Sequence, residues 1–311
     1  MDKVIVIAGP TASGKTALGI RLAEWIGGEV ISADSMQVYK YMDIGTAKPT
    51  LQERKGIKHY LIDEVTPDQE FSVAKFQAKA LEYIKEITNK GLIPIIVGGT
   101  GLYINSLIHN IQYAKVPVDY NYRERLKTIA GKESSMFLHD ELKKIDVEAA
   151  GRIHPNDLKR VIRALEIYDQ TGINMSSHIV ASRLNPSEYS YIMLCLKMDR
   201  QRLYFRINER SEEMFKKGLI DEVRNLMKLG YSRYSTAMQG LGYKEAFWFL
   251  DGQTTIEETI ELLKRNTRRY AKRQMTWFKK MKEIKWFDAG DDDLEISKNV
   301  YNYIETYSGI L

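Results

Sequence analysis

Cysteine is nearly missing from this chain. Its single residue, Cys195, among 311 excludes an internal disulfide and any zinc site built on clustered thiolates. It stands in the apolar stretch YIMLCLKM, where a buried strand position is expected. Histidine is scarce too: His59, His109, His139, His154 and His178 form neither HExxH nor another metal-ligand spacing. No apolar run approaches the roughly 20 residues that span a bilayer, and the opening MDKVIVIAGP has no basic segment leading into a long apolar one. A soluble, cytoplasmic protein without a membrane partner is expected. Acid is absent from one long segment, residues 264–282, which carry nine Lys or Arg. With those nine set aside, 37 basic residues remain against 41 acidic ones. The net charge of +5 is therefore concentrated there, as expected for a polyanion partner.

What is present is a core-forming chain, 44% hydrophobic and long enough for one sizeable domain or two smaller ones. Segments rich in β-branched residues at 4–8, 29–33, 60–65, 92–97 and 191–198 read as strands, with helical patterns at 16–25 and 72–89 between them. Strands alternating with helices imply a parallel sheet covered on both faces. The alternation lapses over 113–189, where YRERLKTIA, SMFLHDELKKI and NDLKRVIRALEIY read as helices. A helical insertion at 113–189 within an α/β domain of 1–112 and 190–311 is expected. Helices resume over 199–281, followed by a short KWFDAG segment and a final amphipathic helix.

The stretch GPTASGKT, Gly9-Pro10-Thr11-Ala12-Ser13-Gly14-Lys15-Thr16, matches GxxxxGK[ST] between a strand and a helix. Its backbone amides and the helix N-terminus suit a di- or triphosphate, Lys15 its bridging or terminal oxygens, and the Thr16 hydroxyl a Mg²⁺ ion. An ATPase would need an acid at the end of a neighbouring strand, but 92–97 runs into Gly98-Gly99-Thr100-Gly101. An acid does follow the second strand, in Asp34-Ser35-Met36-Gln37. Strand ends beside such a loop are where ligands bind, so Asp34 reads as a substrate base, or as an Asx turn or helix cap. A small-molecule kinase using ATP fits these residues as well.

Taken with MDIGTAKP (42–49), VGGTGLY (97–103), GRIHPNDLKRVIRALE (151–166), GLIDEV (218–223) and KRQMTWF (272–278), these motifs resemble the tRNA dimethylallyltransferases, in order and almost end to end. The chain resembles the shorter bacterial form, without the zinc-binding extension of some members. The resemblance implies a P-loop, nucleotide-kinase-like parallel sheet with helices on both faces and a helical insertion. It also implies transfer of a dimethylallyl group from dimethylallyl pyrophosphate to N6 of the adenosine 3′ of the anticodon. The P-loop would then hold a pyrophosphate that leaves intact, with Mg²⁺. Asp34 would accept the amine proton, Thr100 would lie near the reacting base, and Arg206 or Arg210, on one helical face, would meet the pyrophosphate.

An adenine that reacts at N6 must leave its stack, so stacking and phosphate-binding side chains are expected. In the basic segment, Arg265, Arg268, Lys272, Thr276 and Lys279 share a helical stripe interleaved with Tyr270, Trp277 and Phe278; Lys272, Arg273, Gln274, Met275, Thr276, Trp277, Phe278 and Lys279 are expected at the tRNA. Asn156 or Asp157 caps a helix carrying Lys159, Arg160, Val161, Ile162 and Arg163, which the resemblance also places on the anticodon stem-loop. It does the same for Gln239-Gly240-Leu241-Gly242-Tyr243-Lys244, for the tetrad Asp34 to Gln37, and for Arg123. A monomer is expected.

Overall fold

The chain forms β1 (Lys3–Ala8), α1 (Lys15–Ile26), β2 (Gly28–Ser32), α2 (Leu51–Arg54), β3 (His59–Tyr60), α3 (Val73–Asn89), β4 (Ile93–Gly98) and α4 (Gly101–Ile108). Five helices follow: α5 (Tyr120–Lys132), α6 (Ser135–Ile145), α7 (Val147–Arg152), α8 (Leu158–Thr171) and α9 (Met175–Arg183). Then come β5 (Ser190–Lys197), α10 (Arg200–Lys216), α11 (Leu219–Lys228), α12 (Tyr243–Leu250), α13 (Ile256–Phe278), β6 (Lys285–Asp288) and α14 (Asp293–Ser308). This is a computed structural model, and it describes residues 2–113, 116–183, 186–290 and 292–308.

Every strand pairs in parallel, in the order β3-β2-β4-β1-β5-β6. The central strands read as unbroken apolar runs because both faces are covered: β1 and β4 bury every residue after their first. Against one face pack Leu18, Leu22 and Ile26 of α1 with Ile296, Val300 and Ile304 of α14. Gly19 lets α1 sit close, since a Cβ there would come within 2.5 Å of Val97. A second core joins Val38, Tyr39 and Met42 to α11, α12 and Leu263 of α13. Because β1 lies between β4 and β5, the order reverses beside it, and the loops after β1, β2 and β4 gather at a switch point.

Two expectations change. The strand expected at 60–65 ends at Tyr60, because Leu61 and Asp63 turn left-handed (φ 59° and 58°) and Val65 returns only to bridge Tyr39. KWFDAG, expected as a short segment, supplies β6, the edge strand beside β5.

Residues 1–106 and 188–311 form one compact unit and residues 107–187 another. The second is helical, with Leu126, Leu138, Leu142, Ala149, Ile153, Val161, Ile162 and Leu165 at its centre. Its bounds fall earlier than 113–189 because the segment before α5 is tied to the unit's end: Asn110 donates to the Pro186 carbonyl and the Gln112 amide to Ser182.

Candidate active site

The loop after β1 carries Ala12 and Gly14 at φ 64° and 89°, the left-handed backbone that curls its amides inward. Helix α1 opens at Gly14 without a side-chain cap, so its first amides stay available to an anion. The Thr11 amide is committed elsewhere, donating to Gln274 Oε1 at 2.9 Å. Lys15 Nζ donates to the Pro10 carbonyl at 3.2 Å. Burial lowers its pKa to about 8, the Asp34 carboxylate opposing and the Arg210 guanidinium adding to the shift.

Asp34 follows β2, and its Oδ1 accepts the Met36 amide at 2.9 Å. That is the Asx turn open to this residue, yet the side chain also lines a cavity of about 220 Å³ with Thr11, Ala12, Ser35, Arg210, Leu241, Leu263 and Tyr270, among others. Thr100 Oγ1 accepts the Ser35 amide at 3.0 Å and approaches Ser35 Oγ at 3.4 Å, which fixes the threonine beside the Asp34 turn. Tyr270, expected from the sequence only to stack, enters the same cavity. Its hydroxyl pKa is raised by burial first and by Asp34 second.

The glycines after β4 serve the protein's own packing. A Cβ on Gly98 would stand 2.2 Å from the Ala33 carbonyl, one on Gly99 2.2 Å from Gln274 Nε2, and one on Gly101 2.3 Å from Trp277. They admit Ala33, the residue after β2, and the side chains of α13. Gln37 is likewise occupied: it accepts from Ser32 Oγ and donates toward the Thr46 and Ala47 carbonyls.

A second cavity, about 690 Å³, is lined by Gly14, Lys15, Thr16, Arg21, Lys48, Arg206 and Arg210, with Glu53 and Glu213 among its acids. Arg206 Nη2 comes within 4.0 Å of the Cβ position of Gly14. Arg210 lines both cavities, which share Ala12, Arg210 and Met214. Desolvation lowers its pKa, Asp34 opposing and Arg206 adding. A magnesium ion fits this donor set. Thr16 faces the cavity, and among the described residues no cluster of three His, Cys, Asp or Glu could cage a metal. Mg²⁺ characteristically takes one or two protein oxygens and completes its shell with phosphate and water.

On α13, Arg265, Arg269, Lys272, Arg273, Thr276, Trp277 and Lys279 are exposed. Lys264 is buried between Glu212 and Glu261, and Arg268 donates to Asn208. Met275 is half-buried, and Phe278 is wholly buried. Gln274 is spent on Thr11 and on the Gly99 carbonyl at 2.9 Å. Gln239 is exposed, Leu241 and Lys244 are half-buried, and Gly240, Gly242 and Tyr243 lie inside. In the helical unit, Asp157 is the cap of α8. Lys159 and Arg160 are exposed, Val161 and Ile162 fill the core, and Arg123 and Arg163 both bind the buried Glu166. Sequence reasoning misses the place of Tyr270 in the cavity. The only signal for it is a tyrosine in an otherwise basic run.

The model of the IPP transferase family matches residues 37–281. The tRNA dimethylallyltransferase of Acetivibrio thermocellus is 53% identical over 309 residues, 99% of each chain. The crystal structure of a tRNA isopentenylpyrophosphate transferase from Bacillus halodurans superposes with a TM-score of 0.74 at 46% identity, covering 98% of this chain and 96% of that one. A eukaryotic dimethylallyltransferase acting on tRNA gives a TM-score of 0.80 at 33% identity, over 99% and 77%. With a switch-point phosphate loop, a carboxylate beside it and this similarity across nearly its whole length, the chain belongs to the IPP transferase family.

Proposed function

We propose that this chain transfers the dimethylallyl group of dimethylallyl pyrophosphate to N6 of the adenosine 3′ of the anticodon in tRNA. The observation that carries the reading is the junction of the two cavities at Ala12, Arg210 and Met214, with Asp34 on one side and Lys15 on the other. A leaving anion and a nucleophile that must shed a proton are thereby supported a few side chains apart.

The pyrophosphate lies against the amides that open α1, with Lys15, Arg206 and Arg210 matching charge as it accumulates on the leaving oxygens. Thr16 would hold Mg²⁺, which when bound would neutralise part of that charge. The exocyclic amine of adenine is weakly nucleophilic because its lone pair is delocalised, and it becomes acidic as its nitrogen bonds to carbon. Asp34 takes that proton as the C–N bond forms and the C–O bond to pyrophosphate breaks. Thr100, held on the Ser35 amide, orients the base beside it. The cavity's apolar wall, Ile207, Met214, Leu241 and Leu263, suits a five-carbon chain and keeps water from the allylic carbon. Exposed Arg269, Lys272, Arg273 and Trp277 on α13 offer phosphate and stacking contacts, as Lys159 and Arg160 do on α8.

Mass spectrometry of unmodified tRNA incubated with the protein, Mg²⁺ and dimethylallyl pyrophosphate tests the reading. The expected result is a prenyl-sized gain on the adenosine beside the anticodon, with the rate lowered by about 10² to 10⁴ in Asp34→Asn. Absence of the gain with folded protein would refute it.

A further inference from the structure

Glu222 stands in the first turn of α11 and lines neither cavity. Its carboxylate nevertheless accepts four hydrogen bonds. Oε2 takes the Asp43 and Ile44 amides at 2.9 and 2.8 Å, and Oε1 takes the Gly45 amide at 3.2 Å and the Tyr243 hydroxyl at 2.6 Å. Three consecutive backbone amides on one carboxylate fix a peptide segment in position and orientation, as a nest holds an anion. The fit is close on the other side as well, since a Cβ on Gly45 would stand 2.4 Å from the Tyr243 ring.

The segment so held is a wall common to both halves of the site. Gly45 and Thr46 line the Asp34 cavity, while Asp43, Ile44, Ala47 and Lys48 line the Lys15 cavity. Its far end is secured separately, by Lys48 on the Tyr39 carbonyl, Asp43 and Asp63 and by Gln37 on the Thr46 and Ala47 carbonyls. The near end has Glu222.

We infer that Glu222 is a positioning residue for prenyl transfer: by clamping the amides of Asp43, Ile44 and Gly45 it sets the wall that aligns pyrophosphate and acceptor base. The inference rests on the function proposed above. A carboxamide in its place offers one oxygen and one N–H₂ group. The oxygen can serve one pair of amides, and the N–H₂ group then faces a donor it cannot accept from.

The test uses the full chain with Glu222→Gln and, as a control, Asp221→Asn, whose exposed side chain pairs with the neighbouring Arg224. Hydrogen exchange of the 43–45 amides is measured beside the KM for dimethylallyl pyrophosphate, the single-turnover rate and tRNA affinity by filter binding. Expected in Glu222→Gln are exchange at these amides faster by tenfold or more, a KM raised about tenfold, a single-turnover rate lowered about tenfold and tRNA affinity within twofold of the parent. Asp221→Asn should change none of these. Unaltered exchange, or kinetic loss that merely follows a lowered folded fraction at unchanged KM, would overturn the inference. If Glu222→Gln does not fold, Glu222→Asp keeps the charge, one methylene shorter, and carries the same comparison. An inactive parent protein would defeat the functional reading alone. The exchange data and pyrophosphate affinity, expected to weaken about tenfold in Glu222→Gln, would then decide the clamp.

Discussion

Near pH 8 Lys15 is only partly charged, because burial lowers its pKa. Its folded pKa is depressed, so between pH 8 and 10.5 the free protein sheds a proton that the unfolded chain retains. In that window the cost of burying the ammonium is relieved as pH rises. A pyrophosphate bound there, as proposed, would reverse the shift, because its charge favours the ammonium form. Binding therefore takes up a proton at pH 8, and affinity falls as pH rises beyond it, by at most about tenfold per unit. Calorimetric titration with pyrophosphate in buffers of different ionisation enthalpy reads this uptake. Phosphate-loop residues are legible in the sequence because the demand on them is local: a left-handed turn, open amides, one lysine. Asp34 is legible from its place after a strand. Glu222 is not, since the amides it holds lie 179, 178 and 177 residues away and no local pattern records them.

Helix α13 shows what an element adds to its residues. As a line of residues, 264–282 is a basic ribbon; folded, the helix turns Leu263, Ala271, Gln274 and Phe278 inward and leaves Arg269, Lys272, Arg273 and Lys279 outside. Charge density is legible in the sequence, but which face carries it depends on where α10 and the phosphate loop lie. Gln274, Tyr243, Val161 and Ile162, expected at the RNA, turn inward for the same reason: a motif marks a position and not its direction. Replacing Arg269, Lys272 and Arg273 by Gln should weaken tRNA binding and flatten its salt dependence. The slope of log K against log[salt] should fall by about 0.7 to 0.9 for each phosphate left without its cation. Filter binding between about 50 and 200 mM salt measures it. An unchanged slope would move the RNA elsewhere.

At the scale of the whole chain, the parallel sheet and the helical unit follow from strands that alternate with helices and then cease to. The weak third strand and the edge strand β6 do not, because two left-handed residues end one and the sheet edge recruits the other. Within the helical unit stability hangs on Glu166. Burial raises its pKa, but Arg123 and Arg163 more than offset this and hold it below the ordinary 4.5. A depressed carboxyl adds stability above its unfolded pKa and loses it as pH falls through the folded one. The unit should therefore lose stability below about pH 4.5. Glu166→Ala, which leaves two arginines without their acid, should cost about 3 to 5 kcal/mol. Urea unfolding followed by circular dichroism at pH 7 and pH 4 checks both.

The two cavities share Ala12, Arg210 and Met214 and are otherwise lined by different residues. On the function proposed above, an anion in one would not displace a base from the other, and the two products would depart independently. Spent pyrophosphate would, on that function, leave through the cavity that Lys48 and Lys217 help to line while the nucleic acid is still seated. The enzyme would then reload its small substrate without letting go of the large one, and turnover would not be limited by how tightly the RNA is gripped.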